Sequence, residues 1–178
     1  MQRVMVIDES AEHTELLAEA LHETGYEIAE TLSKPEQLVE HVERLMPDVI
    51  LVDMVSPDRK VLEEIKRMHS RVPRPVVMFA GKGDSETIGE AVSAGVHAYV
   101  VDGFDVRRLR PILDVATARF RETQALLDEL AKTRSTLQER KVIERAKGLL
   151  MEKKGMGENE AHQALRKLAM DQGKNWLR

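Results

Sequence analysis

Three acidic residues stand directly after short apolar segments, and they are the candidates for chemistry in the first half of the chain. Asp8 and Glu9 follow the segment V-M-V-I, and Asp53 follows V-I-L-V. Ser56 and Pro57 come three and four residues after Asp53. Carboxylates gathered at the ends of parallel strands can hold a hard divalent cation, and an aspartate among them can accept a phosphoryl group. We therefore expect a phosphoacceptor equivalent at Asp53, at most a weak Mg²⁺ site at Glu9 and Asp53, and no other cofactor.

The second half of the chain carries cations at helical spacing. On a helical wheel Arg140 and Lys147 share one flank, and Lys141 and Arg145 share the other. Cations outside an apolar face bind nucleic-acid phosphates with an affinity that falls with salt. A solvated helical surface that is merely basic is the alternative. The predicted phosphate-binding residues are Arg140, Lys141, Arg145, Lys147, Arg166 and Lys167.

Charge is divided unevenly along the 178 residues, whose formal net charge is −4. Residues 1–131 hold 15 basic and 25 acidic residues, whereas residues 132–178 hold 12 and 6, so the second part alone is typical of a polyanion binder. The chain has no cysteine, no signal-peptide pattern and no apolar run of the roughly 18 residues that a membrane helix needs. We expect a cytoplasmic protein without a membrane partner.

Short apolar segments alternate with amphipathic ones over the first two thirds of the chain. The segments at 4–7, 49–52 and 75–79 are rich in β-branched residues, as strands buried on both faces of a parallel sheet are. Helices are predicted over 10–23, 35–45, 61–69 and 85–94, and Gly25 and Gly95 are expected to end the first and the last of them. The order predicts an α/β fold, a (βα)5 doubly wound, flavodoxin-like domain with its site at the carboxyl ends of the strands.

One long helix is predicted next, because residues 112–147 contain neither proline nor glycine. Apolar residues recur along it at spacings of three and four, which is typical of a coiled-coil seam and predicts a homodimer. The alternative is that the first part of the stripe, up to about Ala116, packs on the sheet. Gly155 and Gly157 indicate a turn before a second small helix near Glu158. The proposed seam consists of Phe120, Leu127, Leu130 and Leu137.

Residues 2–117 resemble the receiver domains of response regulators, on the basis of the acid pair and the Asp53-to-Pro57 spacing. The chain departs from receivers in two places. Ala80 stands where they have a serine or threonine that senses the phosphoryl group, and Asp102 stands where they have a lysine that balances its charge. Asp102 also joins Asp8 and Glu9 in the predicted acidic pocket. These departures favour a docking scaffold over an ordinary phosphorylation switch, although both interpretations stay open.

The segment E-R-K-V-I-E-R-A-K-G-L-L-M, followed by A-L-R-K-L-A-M, resembles the ANTAR domain, an RNA-binding antitermination module. The resemblance implies an ANTAR domain over 124–178, with residues 118–139 forming the helical linker into it. The chain ends at D-Q-G-K-N-W-L-R, so we expect the domain to lack most of its third helix. Stacking on RNA bases has only Trp176 available to it.

The front-half segments S-P-D-R-K-V-L-E and A-G-V-H-A-Y-V-V-D-G are similar to those of nitrate-assimilation antiterminators. That resemblance implies a non-enzymatic regulator of a two-component-like system that binds tandem hairpins in leader RNA. It also implies a nitrate- or nitrite-sensing regulatory protein as partner. The alternative is a DNA-binding or protein-interaction response regulator with a phosphorylatable receiver, although no helix-turn-helix spacing is visible in residues 120–178.

Overall fold

Strands and helices alternate along the first two thirds of the chain, as the apolar segments predict. The computed structural model describes residues 1–9, 14–102 and 105–171. The strands are β1 (Gln2–Asp8), β2 (Tyr26–Leu32), β3 (Val49–Met54), β4 (Val76–Ala80) and β5 (Ala98–Val101). The helices are α1 (Thr14–Glu23), α2 (Leu38–Leu45), α3 (Arg59–Arg71), α4 (Ser85–Ala94), α5 (Val106–Lys154) and α6 (Glu158–Asp171).

The five strands form one parallel sheet in the order β2-β1-β3-β4-β5. The strand order changes direction between β1 and β3, and in open α/β sheets the crevice beside such a point holds the site. The predicted doubly wound α/β domain, followed by a long helix and a small helical region, is confirmed.

Buried apolar residues cover both faces of the sheet, because alternate residues of a strand point to opposite sides. On one face, Ile7, Ile50 and Met78 pack with residues of α2, α3 and α4. On the other, Val6, Leu51 and Phe79 pack with residues of α1 and α5. The near-continuous apolar runs of the sequence are explained by this double burial.

Two helices start at other residues than the sequence patterns predict. Helix α2 begins at Leu38 rather than at residue 35, and Gln37 before it has a left-handed φ of 60°. Helix α3 begins at Arg59 rather than at residue 61, because an oxygen of Asp58 accepts the Val61 N–H at 2.9 Å and caps the first turn. The predicted start of the first helix, at residues 10–13, lies outside the described residues.

Helix α5 is longer than the predicted 112–147 at both ends. At its start, Asp105 Oδ1 accepts the Arg107 N–H at 3.0 Å, and Pro111 is included in the helix. At its end the helix continues through Gly148, since one glycine costs a helix interior only about 1 kcal/mol. Gly155, with a φ of 63°, ends the helix instead, and its N–H donates to the Met151 carbonyl at 3.1 Å.

Residue contacts divide the chain into a front unit, residues 1–123, and a back unit, residues 124–178. In the front unit Leu109, Leu113 and Ala116 are fully buried, so the first part of the apolar stripe packs on the sheet. Beyond it, Leu127, Leu130 and Leu137 expose between 46% and 52% of their surface. Among the helices of the described residues, none offers an apolar stretch that could cross a membrane.

Phe120 packs inside the front unit, although the sequence pattern assigned it to the exposed seam. Its ring meets the His97 imidazole edge-on, with centroids 5.3 Å apart, and the His69 imidazole at 6.5 Å. The two imidazoles lie 5.5 Å from each other. Gly95 leaves room for the His69 ring, because a Cβ built at position 95 would lie 2.8 Å from His69 Cγ. Its φ of +108° also favours glycine. Phe120, the first member of the predicted seam, is half-buried and already contacts His97 and His69 within the single chain.

Candidate functional site

Two of the predicted acidic residues lie side by side at the carboxyl edge of the sheet. Asp8 and Asp53 are direct partners in the register of β1 and β3, so their side chains leave the same face of neighbouring strands about 4.8 Å apart. Asp8 is 5% exposed, and Asp53 is half-buried. Glu9 follows them and is exposed. The pairing places both carboxylates beside the crevice between β1 and β3, where a receiver would hold its phosphoacceptor.

Ala80 and Asp102 lie at the ends of the next two strands. Ala80 is the last residue of β4, is 1% exposed and stands in register between Met54 and Val101. Its methyl group can neither donate nor accept a hydrogen bond. Asp102 follows β5, is exposed and has a left-handed φ of 68°. The carboxyl edge therefore offers no hydroxyl at position 80 and a carboxylate rather than an ammonium at position 102.

Two hydrogen bonds connect neighbouring segments at this edge. The Gly81 N–H donates to the Val55 carbonyl at 3.1 Å, which joins the loops after β3 and β4. The Tyr99 hydroxyl donates to the Lys82 carbonyl at 2.9 Å. Within residues 1–9, 14–102 and 105–171 no group of three or more acidic or histidine side chains could hold a metal ion.

Five of the six predicted phosphate-binding residues are exposed in the back unit. Three of them, Arg140, Lys141 and Arg145, lie on the last third of α5. Arg166 and Lys167 are adjacent on α6. None of the five forms an ion pair with a carboxylate in the described part of the chain. Their charges are therefore available to an external anion.

Lys147 differs from the other five, and its predicted place outside the packed face is wrong. The residue is only 8% exposed, and its Nζ donates to Glu144 and to Glu158, each at 2.9 Å. Hydrogen bonds to Glu144 and then to Glu158 raise the pKa of the Lys147 ammonium, and the Lys147 hydrogen bond lowers the pKa of Glu158. Because Glu158 is the first residue of α6, the Lys147 ammonium links the last part of α5 to the start of α6. The sequence showed the Glu144 spacing but not the second partner.

The two helices of the back unit bury little apolar surface between them. Ala161 is fully buried, whereas Ile143, Ala146 and Leu150 are half-buried. The predicted apolar arcs are only partly covered, because Val142, Leu149 and Leu168 expose 68%, 47% and 54% of their surface. Residues 172–178, which contain Trp176 and the expected start of a third helix, lie outside the described residues.

Two family models match the chain and together account for most of it. The response regulator receiver domain matches residues 4–114, and the ANTAR domain matches residues 131–176. Solved structures agree on the front fold. The CheY-like receiver domain protein of Methanospirillum hungatei superimposes with a TM-score of 0.59 over 69% of this chain and 98% of its own, at 18% sequence identity.

Curated relatives extend the likeness to the whole chain. The transcriptional regulatory protein PdtaR of Mycobacterium tuberculosis is 35% identical over 170 residues, which cover 96% of this chain and 83% of that protein. The nitrate regulatory protein of Klebsiella oxytoca is 41% identical over 76 residues, which cover 43% of this chain but 19% of that protein. The closer resemblance to nitrate-assimilation antiterminators is thus only loosely supported. The chain belongs to the response regulators that join a receiver domain to an ANTAR domain, a regulatory rather than catalytic family whose output module is an RNA-binding antitermination domain.

Proposed function

We propose that this chain is a transcription antiterminator that binds tandem hairpins in a leader RNA and so prevents a terminator from forming. The observation that carries the proposal is the set of five exposed cations without ion-pair partners among the described residues of the back unit. All of them fall within the segment that matches the ANTAR domain. The proposed RNA-binding residues are Arg140, Lys141, Arg145, Arg166 and Lys167, with Lys147 as a positioning residue.

The spacing of these cations suits a nucleic-acid backbone. Lys141 and Arg145 are one helical turn apart, so their side chains emerge from the same side of α5. Arginine and lysine both contact phosphate oxygens, and each neutralised phosphate releases condensed counterions. We therefore expect an affinity that falls steeply with salt concentration. Base recognition then depends on the hairpin loops, whose splayed bases are the usual source of RNA specificity.

Two RNA-binding units in one assembly would match two hairpins in one leader. Leu127, Leu130 and Leu137 repeat at spacings of three and seven on α5, and all three are about half exposed in the single chain. Residues that recur in this way bury their side chains best against a second helix. A homodimer through this stretch would place two basic surfaces on the same RNA, which raises the effective concentration of the second contact.

The front unit is proposed as a docking scaffold rather than as an obligatory phosphorylation switch. Ala80 and Asp102 remove the two groups that would sense and balance a phosphoryl group on Asp53. A sensor protein then controls the chain by binding it. We place the protein in the cytoplasm, with a nitrate- or nitrite-sensing regulatory protein as its partner and nitrate-assimilation genes as its targets. The nitrate regulatory protein of Klebsiella oxytoca supports that assignment over 76 residues.

The test is a set of binding isotherms with the full chain. The ligands are an RNA with two hairpins, the same RNA with one hairpin deleted, and a DNA duplex of equal length, each at two salt concentrations. We expect the two-hairpin RNA to bind most tightly and duplex DNA to bind least. Equal affinity for the duplex would favour a DNA-binding regulator, and no binding to any of the three would favour a protein-interaction module.

A further inference from the structure

A second concave site lies in the front unit, on the edge of the sheet opposite the acidic pocket. This cavity has a volume of about 270 Å³. Gln2, Asp48 and Pro75 line it from the amino ends of β1, β3 and β4. Phe120 and Arg121 line it from α5, so one wall belongs to the helix that continues into the back unit. Neither the phosphoacceptor position nor the basic surface of the back unit includes any of these residues.

Two arginines give this cavity an excess of positive charge. The Arg74 guanidinium has only neutral partners, because it donates to the Pro73 carbonyl at 3.1 Å and to Met46 Sδ at 3.2 Å. Its Nε is buried and has no hydrogen-bond partner. Arg121 forms no ion pair with a carboxylate that the structure describes. The two Nη groups of Arg74 have no carboxylate partner in the described part of the chain, and a guanidinium in this state can bind an oxyanion with two parallel hydrogen bonds.

The one carboxylate on the cavity wall is already engaged elsewhere. Asp48 Oδ2 accepts the Arg3 N–H at 2.7 Å, and the Arg3 guanidinium donates to the Leu45 carbonyl at 2.7 Å. The Asp48 N–H also donates to the Arg3 carbonyl at 2.8 Å, so Asp48 is bound to the backbone at the start of β1. Among the described lining residues the balance is therefore two arginines against one carboxylate, and this excess of positive charge favours an anion.

Apolar surface makes up the rest of the wall. Met46, Pro47, Pro75 and Phe120 all face the cavity, and the Phe120 ring is held edge-on by His97 at 5.3 Å. A fixed aromatic ring offers a flat surface on which another planar group packs favourably. An inorganic oxyanion would bind the arginines but would leave the apolar part of the wall exposed to water. The lining thus fits a ligand with a charged end and a flat apolar end.

We propose that this cavity binds a small organic anion, whose carboxylate or phosphate lies against Arg74 and Arg121 and whose planar apolar part packs on Phe120. The proposal goes beyond the RNA-binding function and does not depend on it. A ligand there would touch α5 at Phe120 and Arg121, directly before the front unit ends at Thr123. The receiver would then take its input as a bound metabolite-sized anion at the edge of the sheet opposite Asp53.

The experiment titrates the full chain with benzoate, phenyl phosphate, neutral benzyl alcohol, inorganic phosphate and nitrate. Binding is followed by two-dimensional NMR, with the ring protons of His69 and His97 as reporters because both rings contact Phe120. We expect saturable shifts with benzoate or phenyl phosphate, and the stronger of the two identifies the charged group. Benzyl alcohol, inorganic phosphate and nitrate should bind at least about tenfold more weakly. Benzyl alcohol lacks the negative charge, and the two inorganic anions lack the aromatic ring.

Matched variants separate the cavity from general surface charge. Arg121→Gln and Arg74→Gln should each weaken binding of the aromatic anion about tenfold, the effect of one lost charge-assisted hydrogen bond. Arg119→Gln, two residues from Arg121 on the same helix and outside the cavity lining, should leave binding unchanged. If Arg74→Gln does not fold, Arg74→Lys replaces it, because this variant keeps the charge but loses the paired guanidinium donors and should also weaken binding. The proposal is overturned if neither aromatic anion gives saturable shifts, if a control ligand binds equally well, or if Arg119→Gln weakens binding as much as Arg121→Gln.

Discussion

Lys147 Nζ lies 2.9 Å from Glu158 Oε1, across the turn that separates α5 from α6. The same ammonium donates to Glu144 at 2.9 Å. A cation shared by two carboxylates from two helices positions those helices, and its burial removes it from contact with a nucleic acid. In the back unit Lys147 therefore links two helices, whereas its exposed neighbours Lys141 and Arg145 form no ion pair with a described carboxylate.

The first prediction concerns Lys147→Ala. We expect a lower melting temperature and less helix by circular dichroism, because two glutamates lose their shared partner and α6 loses its attachment. RNA binding should weaken by a similar factor at every salt concentration, so the salt slope should stay unchanged. Lys141→Ala is the control, since it removes an exposed cation of the same helix. An unchanged melting temperature together with a smaller salt slope would show that Lys147 contacts phosphate after all.

The second prediction concerns the exposed cations. Arg145→Ala and Arg166→Ala should each weaken leader-RNA binding and reduce the salt slope by about one, the effect of one lost phosphate contact. The melting temperature should not change, because neither side chain has an ion-pair partner within the described residues. Lys34→Ala and Lys66→Ala in the front unit should have no effect on binding. If these front-unit variants bind as weakly as the others, the RNA surface is not in the back unit.

The third prediction is that Asp53 is not an obligatory phosphorylation switch. Incubation with acetyl phosphate and Mg²⁺ should neither label the chain strongly nor change its affinity for RNA, because the edge of the sheet has Ala80 and Asp102 in place of a hydroxyl and an ammonium. Intact-mass spectrometry and a binding isotherm measure the two effects. Asp53→Asn is the control. A Mg²⁺-dependent increase in affinity that Asp53→Asn abolishes would contradict this prediction.

The fourth prediction is that Leu127 and Leu130 hold a dimer together. Each exposes about half of its surface in the single chain, at 50% and 46%. Leu127→Glu with Leu130→Glu should give a monomer at micromolar concentration, because like charges would face each other across the seam. Light scattering measures the mass. Val115→Glu is the control, an exposed position on the same helix within the front unit. An unchanged mass in the double variant would place the dimer contact elsewhere.

The fifth prediction is a loss of stability in mild acid that traces to His97. Burial, and then the nearby His69, lower the pKa of the His97 imidazole to about 4, from an ordinary value of 6.5. Between these values the unfolded chain takes up a proton that the folded chain refuses, so the free energy of unfolding falls as the pH drops from about 6.5 to about 4. The Val76 N–H also donates to His97 Nδ1, which favours the neutral ring.

The measurement for His97 compares urea midpoints at pH 7 and pH 5. His97→Asn keeps an acceptor for Val76 but does not titrate, so its midpoint should fall less than that of the natural chain. Between pH 7 and pH 5 the natural chain should lose about 1 to 2 kcal/mol more of its free energy of unfolding than His97→Asn does. This value is smaller than the full pKa shift implies, because the ring is partly exposed. His22→Asn, at an exposed position on α1, should behave like the natural chain. Parallel losses in all three proteins would mean that His97 is not the titrating group.

The sheet and most of its helices could be predicted because their signals are local. Apolar runs such as V-I-L-V are typical of strands in a parallel sheet whose two faces are both covered by helices. The ends of α5 were harder to predict, since Gly148 weakens a helix without ending it, and Gly155 ends it only by adopting a positive φ. Propensity alone does not separate these two glycines.

The site residues that the sequence misplaced depend on contacts between distant residues. Lys147 fits an exposed flank of a helical wheel, and only the fold brings Glu158, eleven residues later, to its ammonium. Phe120 continues the spacing of the seam, and only the fold places His97 and His69 against its ring. The cavity beside Phe120 has no sequence signature, because it is assembled from the amino ends of three strands and one helix. The spacing of apolar residues along a helix indicates which face of the helix is apolar, but it does not indicate which residues pack against that face.

Gly95 limits how this sequence can vary over evolutionary time. Its φ of +108° excludes most residues, and the nearby His69 ring excludes any Cβ, so two independent constraints fall on one position. Gly25 also has a positive φ, but a Cβ there would meet nothing within 4 Å, so asparagine is an acceptable replacement. A smaller residue at position 69 would remove only the steric constraint, and the positive φ would still favour glycine at position 95. Lineages that keep His69 are expected to keep Gly95 with it.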